Sequence, residues 1–243
     1  MNILEIGTVT FLASFIFALG GVGAAVVLIP VLIFLGVPFP AARPAGLFTN
    51  FISMSSAAYH NIKEGLVDFR LAAPIVIASI VTSPLGALIS SMISQKVVGI
   101  AFTLFLFFAG IMVYAPQKEI ADEKTSIIYP IIVGSISGFV SGFLGVGGGG
   151  VISPMLIIAG YSPKRVSSVT PFAVLFSSFT GFLAYWRLGN VNWFLTVSAA
   201  IPAAFAGYLG AYVTHRYLKP GHVKWVLGTI FFILGIKFLF KFV

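Results

Sequence analysis

Apolar residues run through this chain in long, nearly unbroken stretches; they do not alternate with polar positions at the period of a surface helix or strand. Six of these stretches, 44–61, 71–93, 97–114, 166–186, 193–214 and 223–242, are set off by connectors carrying Lys, Arg, Gly or Pro. A helix needs about 20 apolar residues to cross the hydrocarbon core of a bilayer, so the pattern predicts six spanning helices. Two further stretches, 6–37 and 127–161, are too long for one crossing and short for two. Each is broken near its middle by glycines: Gly20, Gly21 and Gly23 in the first, Gly145 to Gly150 in the second. They predict helix–break–helix hairpins, either short tilted spans or re-entrant elements, that return the chain to the side it entered from.

The two broken stretches are versions of one another. GGVGAAVVLIPVLIFLG from Gly20 aligns with LGVGGGGVISPMLIIAG from Leu144 at a shift of 124 positions, the difference between 154 and 30 for the paired prolines. The same shift places Gly21 on Gly145, Gly23 on Gly147 and Gly36 on Gly160. Further on it places Lys63, Gly65, Val67 and Asp68 on Arg187, Gly189, Val191 and Asn192, without a gap. The expected architecture is therefore an all-α polytopic membrane protein of two repeats, each a glycine-broken hairpin plus about three transmembrane helices. Residues 1–115 form the first repeat, 116–126 a polar cytoplasmic linker, and 127–243 the second. A returning hairpin and three crossings make an odd number, which would turn the second repeat upside down relative to the first, as in inverted-repeat transporters.

Composition bears this out. The chain is 59% hydrophobic and 8% charged, with a mean hydropathy of +1.08, whereas a soluble domain carries about a quarter charged residues. Its solvent is expected to be the lipid bilayer. The absence of cysteine excludes disulfides, thiolate metal sites and thiol catalysis. The net charge of +8 does not point to nucleic acid, because the basic residues are scattered singly between apolar spans. With returning hairpins, Lys63, Arg70, Lys118, Lys124, Lys164, Arg165, Arg216, Lys219 and Lys224 share one side. Arg43, Lys96, Arg187, Lys237 and Lys241 share the other. The positive-inside rule makes the larger set cytoplasmic and both termini extracytoplasmic.

The run Gly145 to Gly150 is not a nucleotide loop, since no Lys-Ser/Thr follows it and no βαβ pattern surrounds it. Two readings stay open: the glycines allow helices to pack closely, or they unwind the backbone so that the resumed helix presents free N–H groups and a positive dipole end to an anion. Among polar side chains in the following spans, Asn50 stands out, because a carboxamide deep in a membrane is costly unless paired. Ser53 and its equivalent Ser177, with Thr170, are hydroxyl candidates, although hydroxyls in membrane helices more often bond their own helix. None of the six acidic residues falls inside a span, so a carboxylate proton relay is not expected. His60 is the candidate for proton coupling, histidine being the residue type suited to proton transfer near physiological pH. No metal site, no cofactor and no catalytic motif is expected.

These residues resemble the sulfite exporter TauE/SafE family, strongly in GFLGVGGGGVISPMLIIAG and in the Arg187-x-Gly189-Asn190-Val191-Asn192-Trp193 segment of the second half, weakly in the first half. The resemblance implies a multi-pass transporter of a bacterial or archaeal inner or plasma membrane. It would move small sulfur-containing anions such as sulfite, organosulfonates or sulfoacetate, generally outward. The family's glycine motif carries over to Gly21, Gly23, Gly145, Gly147, Gly148 and Gly149, with Pro30 and Pro154. Ala24-Ala25 stands where glycines are expected, which leaves symmetric ligation by the two halves in question. The expected function is a secondary transporter working by alternating access, with an anion held between the glycine-broken helices. An anion channel or uniporter, or a non-transporting partner protein, is the alternative, and a homodimer is left open.

Overall fold

The computed structural model describes residues 3–18, 23–114, 127–217 and 220–242. Among the described residues there are ten helices and no strand: α1 Ile3–Ala18, α2 Ala25–Phe34, α3 Phe39–Lys63, α4 Phe69–Met92, α5 Gln95–Tyr114, α6 Ile128–Leu144, α7 Gly149–Ile158, α8 Pro163–Arg187, α9 Trp193–Tyr217 and α10 Pro220–Phe242. All six spans expected from the apolar pattern are helices. The two broken stretches are the pairs α1/α2 and α6/α7. The segment 116–126 and Gly21 lie outside the described residues.

The duplication is visible in the backbone. A shift of 124 maps α2 onto α7 and α3 onto α8 to the residue. Glycines with positive φ recur in register: Gly23 at 96° and Gly147 at 72°, Gly36 at 88° and Gly160 at 94°, Gly65 at 65° and Gly189 at 72°. The caps match as well. Val37 N–H donates to the Leu32 carbonyl as Tyr161 N–H does to Leu156, and Leu66 N–H to Asn61 as Asn190 N–H to Tyr185. These are the 6→1 bonds of a left-handed helix stop. At the next helix start, Asp68 accepts from the N–H groups of Arg70 and Leu71, and its equivalent Asn192 accepts from Leu195 N–H at 3.1 Å, both N-caps.

Helix α7 returns alongside α6: the Tyr129 hydroxyl, at the start of α6, donates to the Met155 carbonyl of α7 at 2.6 Å. The stretch is thus a hairpin, as its length required. Helices α3 and α8 run antiparallel. Phe48 packs on Phe182 at 4.9 Å and Phe51 on Phe179 at 5.0 Å between ring centroids, while Asn61 donates to the Ser168 carbonyl at 3.2 Å. Helices α5 and α10 do the same, with Gly99 against Phe242 and Gly110 against Phe231 and Phe232. The pairings are reciprocal, since α4 packs on α6 and α8, and α9 on α1 and α3.

Small residues set the closest of these contacts. Along α6, Gly134, Gly138 and Gly142 lie against Ile75, Ser79 and Ser83 of α4 so tightly that a Cβ at Gly134 would sit 2.5 Å from the Ile75 carbonyl oxygen. In lipid, where helices gain little from hydrophobic exclusion, such backbone approach is what holds a bundle together. Short helix α2 is buried with α5 and α10 around Phe102 and Phe238. Part of α7 is buried with α4 and α8 around Ile75 and Val169. The outer faces of α4 and α5 expose Ile77, Val81, Met92, Leu104 and Ile111, as lipid-facing surfaces do.

Candidate functional site

Asn50 lies midway along α3 and is wholly buried. Its Nδ2 donates to the Ser178 hydroxyl of α8 at 3.3 Å, and its Oδ1 has no hydrogen-bond partner. On either side of the carboxamide stand the equivalent glycines of the two breaks. A Cβ on Gly23 would fall 2.5 Å from Asn50 Oδ1, and one on Gly147 would overlap Nδ2. Both glycines have positive φ, a conformation that L residues enter at a cost of about 1–2 kcal/mol. Glycine is therefore required twice over at each, by the backbone and by the side chain beside it.

These breaks bring two helix starts to one place. Helix α2 begins one residue beyond its Ala24 cap and α7 one beyond its Gly148 cap, neither with a side-chain cap. The first N–H groups of an uncapped helix have no intrahelical partner; here they belong to Ala25 and Val26 in one half, Gly149 and Gly150 in the other. Each helix end adds roughly half a positive charge of dipole, so Asn50 sits between two electropositive ends. Pro30 and Pro154 lie within α2 and α7, beyond the first turn.

The remaining expected residues divide. Gly145 abuts Arg43, and Gly148 packs on Ser137, where a Cβ would lie 3.1 Å from the Ser137 carbonyl oxygen. Gly149 is the first residue of α7. Ser53 donates to the Asn50 carbonyl at 3.3 Å and Ser177 to Val174 at 3.2 Å, so both hydroxyls serve their own helices. Thr170 donates to the Val166 carbonyl at 2.8 Å and lies 3.2 Å from the Ser153 hydroxyl, more than two turns along α8 from Ser178. His60 is exposed and stands ten residues from Asn50, about 15 Å along the helix. It is not brought to the breaks.

Two features were not expected from the sequence. Arg43, assigned to the end of a span, is inside α3 and 3% exposed. Its Nη1 donates to the Ser90 hydroxyl and contacts the Ser90 carbonyl at 3.5 Å. Its guanidinium lies over the rings of Phe39 at 5.3 Å and Tyr185 at 5.1 Å. At the far end of α3, Asp68 pairs with Arg165 of the second half, which donates through Nε at 2.6 Å and also through Nη2. Burial pushes the Asp68 carboxyl up, but the Arg165 hydrogen bond, the Leu71 N–H, the Arg165 charge and the Arg70 N–H outweigh it and hold it below the ordinary carboxylate value.

With this geometry in place, comparison with known proteins is decisive at the family level. Residues 6–238 match the family described as Sulfite exporter TauE/SafE. The chain belongs to the TauE/SafE family. A probable membrane transporter protein of Methanocaldococcus jannaschii is 26% identical over 95% of this chain and 93% of its own length. Another from Bacillus subtilis is 24% identical over 99% and 98%. A sulfite exporter TauE/SafE family protein of Arabidopsis thaliana is 27% identical over 45% of this chain and 26% of its own. No solved structure matches. This TauE/SafE chain is a multi-pass membrane transporter and not an enzyme, and its family match includes both breaks and the whole of α3 and α8.

Proposed function

We propose that the protein is a secondary transporter that exports small sulfur-containing anions such as sulfite, organosulfonates or sulfoacetate across a bacterial or archaeal inner or plasma membrane. The observation that carries this reading is the meeting of two uncapped helix starts, α2 and α7, at the Asn50 carboxamide. Backbone N–H groups, dipole ends and one amide can hold an anion without a fixed charge in lipid at that point. The choice of sulfur anions follows the family's description and the name of the plant relative.

Asn50 is closed off from both sides, so an anion reaches it only when α3 and the break segments separate. Inverted repeats offer a way to do this, by rocking one half against the other. The antiparallel course of α3 and α8, equivalent under the repeat, supports that arrangement, and so does that of α5 and α10. The Asp68–Arg165 pair ties the α3–α4 loop to the start of α8 on the side where Lys63, Arg70 and Lys164 gather, which the positive-inside rule makes cytoplasmic. Its equivalents, Asn192 and Ala41, cannot form such a pair on the other side.

The test is uptake of labelled sulfite into proteoliposomes loaded with unlabelled anion. A carrier gives saturable flux accelerated by anion on the far side, and sulfate, taurine, sulfoacetate and acetate rank its selectivity. Unitary currents in a planar bilayer would make the protein a channel instead, and no flux of any of these anions would remove the anion reading.

A further inference from the structure

Arg43 is a charge that the site at Asn50 leaves unused. It stands seven residues before Asn50 on α3, two turns away on the same stripe and about 10 Å distant. The break segment follows that stripe residue by residue. Gly145 lies against the Cα and Cβ of Arg43, the Gly145 carbonyl oxygen would be 3.3 Å from a Cβ on Gly46, and Gly147 lies against Asn50.

The partners of this guanidinium are neutral: Ser90, the Phe39 ring and the Tyr185 ring, whose hydroxyl donates to the Gly142 carbonyl at 2.8 Å. Its Nε has no hydrogen-bond partner. Among the described side chains no carboxylate reaches it, for Glu64 and Asp68 lie past the other end of α3, about 30 Å away at 1.5 Å per residue. A buried cation whose described neighbours are all neutral is costly in a bilayer, and such residues mark ion pathways.

We propose that Arg43 is a second station for the transported anion, on the side of the site away from Asp68 and Arg165, and that it selects oxyanions. The inference rests on the anion-transport reading above. The planar fork of arginine donors fits two oxygens of one sulfite or sulfonate group, which a spherical halide cannot offer. The station belongs to one end only, because the repeat equivalent of Arg43 is Ser167, exposed at the start of α8. Arg43 thus breaks the symmetry of the two halves at the place where an anion would enter or leave.

Thermal unfolding of the purified full chain in detergent tests this, with sodium sulfite, sulfate or chloride at matched ionic strength, for the wild type, Arg43→Gln, Arg43→Lys and Asn50→Leu. Without oxyanion, Arg43→Gln should unfold at or above the wild-type temperature, because an unpaired buried charge has been removed. Its affinity for sulfite and sulfate should fall tenfold or more. Arg43→Lys should still bind but lose the preference for oxyanion over chloride, and it decides the matter if the glutamine variant does not fold. Unchanged affinity in Arg43→Gln, or an unchanged oxyanion preference in Arg43→Lys, overturns the proposal and makes Arg43 a structural strut, while loss of binding in Asn50→Leu would leave the anion reading standing. If none of the salts stabilises the wild type, that reading falls and the station falls with it.

Discussion

Gly147 and Gly189 offer a controlled pair of perturbations, since both have φ of 72° but differ in what an added methyl group meets. At Gly189 a Cβ finds nothing within 4 Å, whereas at Gly147 it overlaps Asn50 Nδ2 and comes within 3.1 Å of the Ser178 hydroxyl. Substituting alanine should cost about 1–2 kcal/mol of backbone strain at either position. Only Gly147→Ala must in addition expel the Asn50 carboxamide from its place between the helix starts. Loss of a hydrogen bond to a charged partner is about 1.5–3 kcal/mol, which is roughly a 10- to 150-fold loss of anion affinity at 1.4 kcal/mol per decade. Gly147→Ala should therefore lose more thermal stability than Gly189→Ala, because it also displaces a buried side chain, and Gly189→Ala should transport sulfite in proteoliposomes near the wild-type rate while Gly147→Ala, measured on the inserted and folded fraction, falls far below it. Equal transport by both variants would refute the reasoning, because the break would then be a packing feature and Asn50 a bystander.

Other expectations follow from the same contacts. Asn50→Leu should insert and fold but weaken sulfite binding by about 1.5–3 kcal/mol, read from the concentration dependence of thermal stabilisation. His60→Gln should leave the pH dependence of transport unchanged if protonation of the substrate itself carries it; a lost or shifted profile would assign the coupling to His60. The Asp68 carboxyl is held below its unfolded value, so its contribution to stability is present above that value, near 3.8, and is lost as pH falls through the lower folded one. The wild type should thus exceed Asp68→Asn in unfolding free energy at neutral pH by an amount of the order of a partly exposed ion pair, up to about 1 kcal/mol, read as a higher unfolding temperature, and the difference should vanish in acid. A cysteine placed at Asp122 in this Cys-free chain should resist impermeant thiol reagents in intact cells, and labelling from outside would overturn the assigned orientation.

How much of this could be read from the chain depended on the distance over which each signal acts. Spans are legible because about 20 consecutive apolar residues are a local property, and the hairpins because glycine clusters divide stretches of the wrong length. The pairing of Gly36 with Gly160 and of Gly65 with Gly189 is legible as a repeat in register, whereas their role as left-handed caps appears only in the backbone. Arg43 was hidden by its prolines. Pro38, Pro40 and Pro44 make the segment look like a connector, yet Pro38 is the cap and Pro40 lies in the first turn, where a missing N–H costs nothing, and α3 continues through Pro44. That Ser178 and not Ser177 meets Asn50 could not be read from the chain, since a helix apolar on every side gives no stripe to orient it. The Asp68–Arg165 pair joins residues 97 positions apart, and no local pattern distinguishes it from the nearer Asp68 and Arg70.

The central claim is that an anion is held where α2 and α7 begin, against Asn50. Selenite, shaped and charged like sulfite but carrying a strong anomalous scatterer, permits a direct measurement by diffraction from crystals grown at saturating concentration. The account predicts an anomalous peak within hydrogen-bond reach of Asn50 Nδ2 and of the first N–H groups of α2 or α7. A well-ordered α3 with no peak there, and selenium bound only elsewhere on the protein, would contradict it.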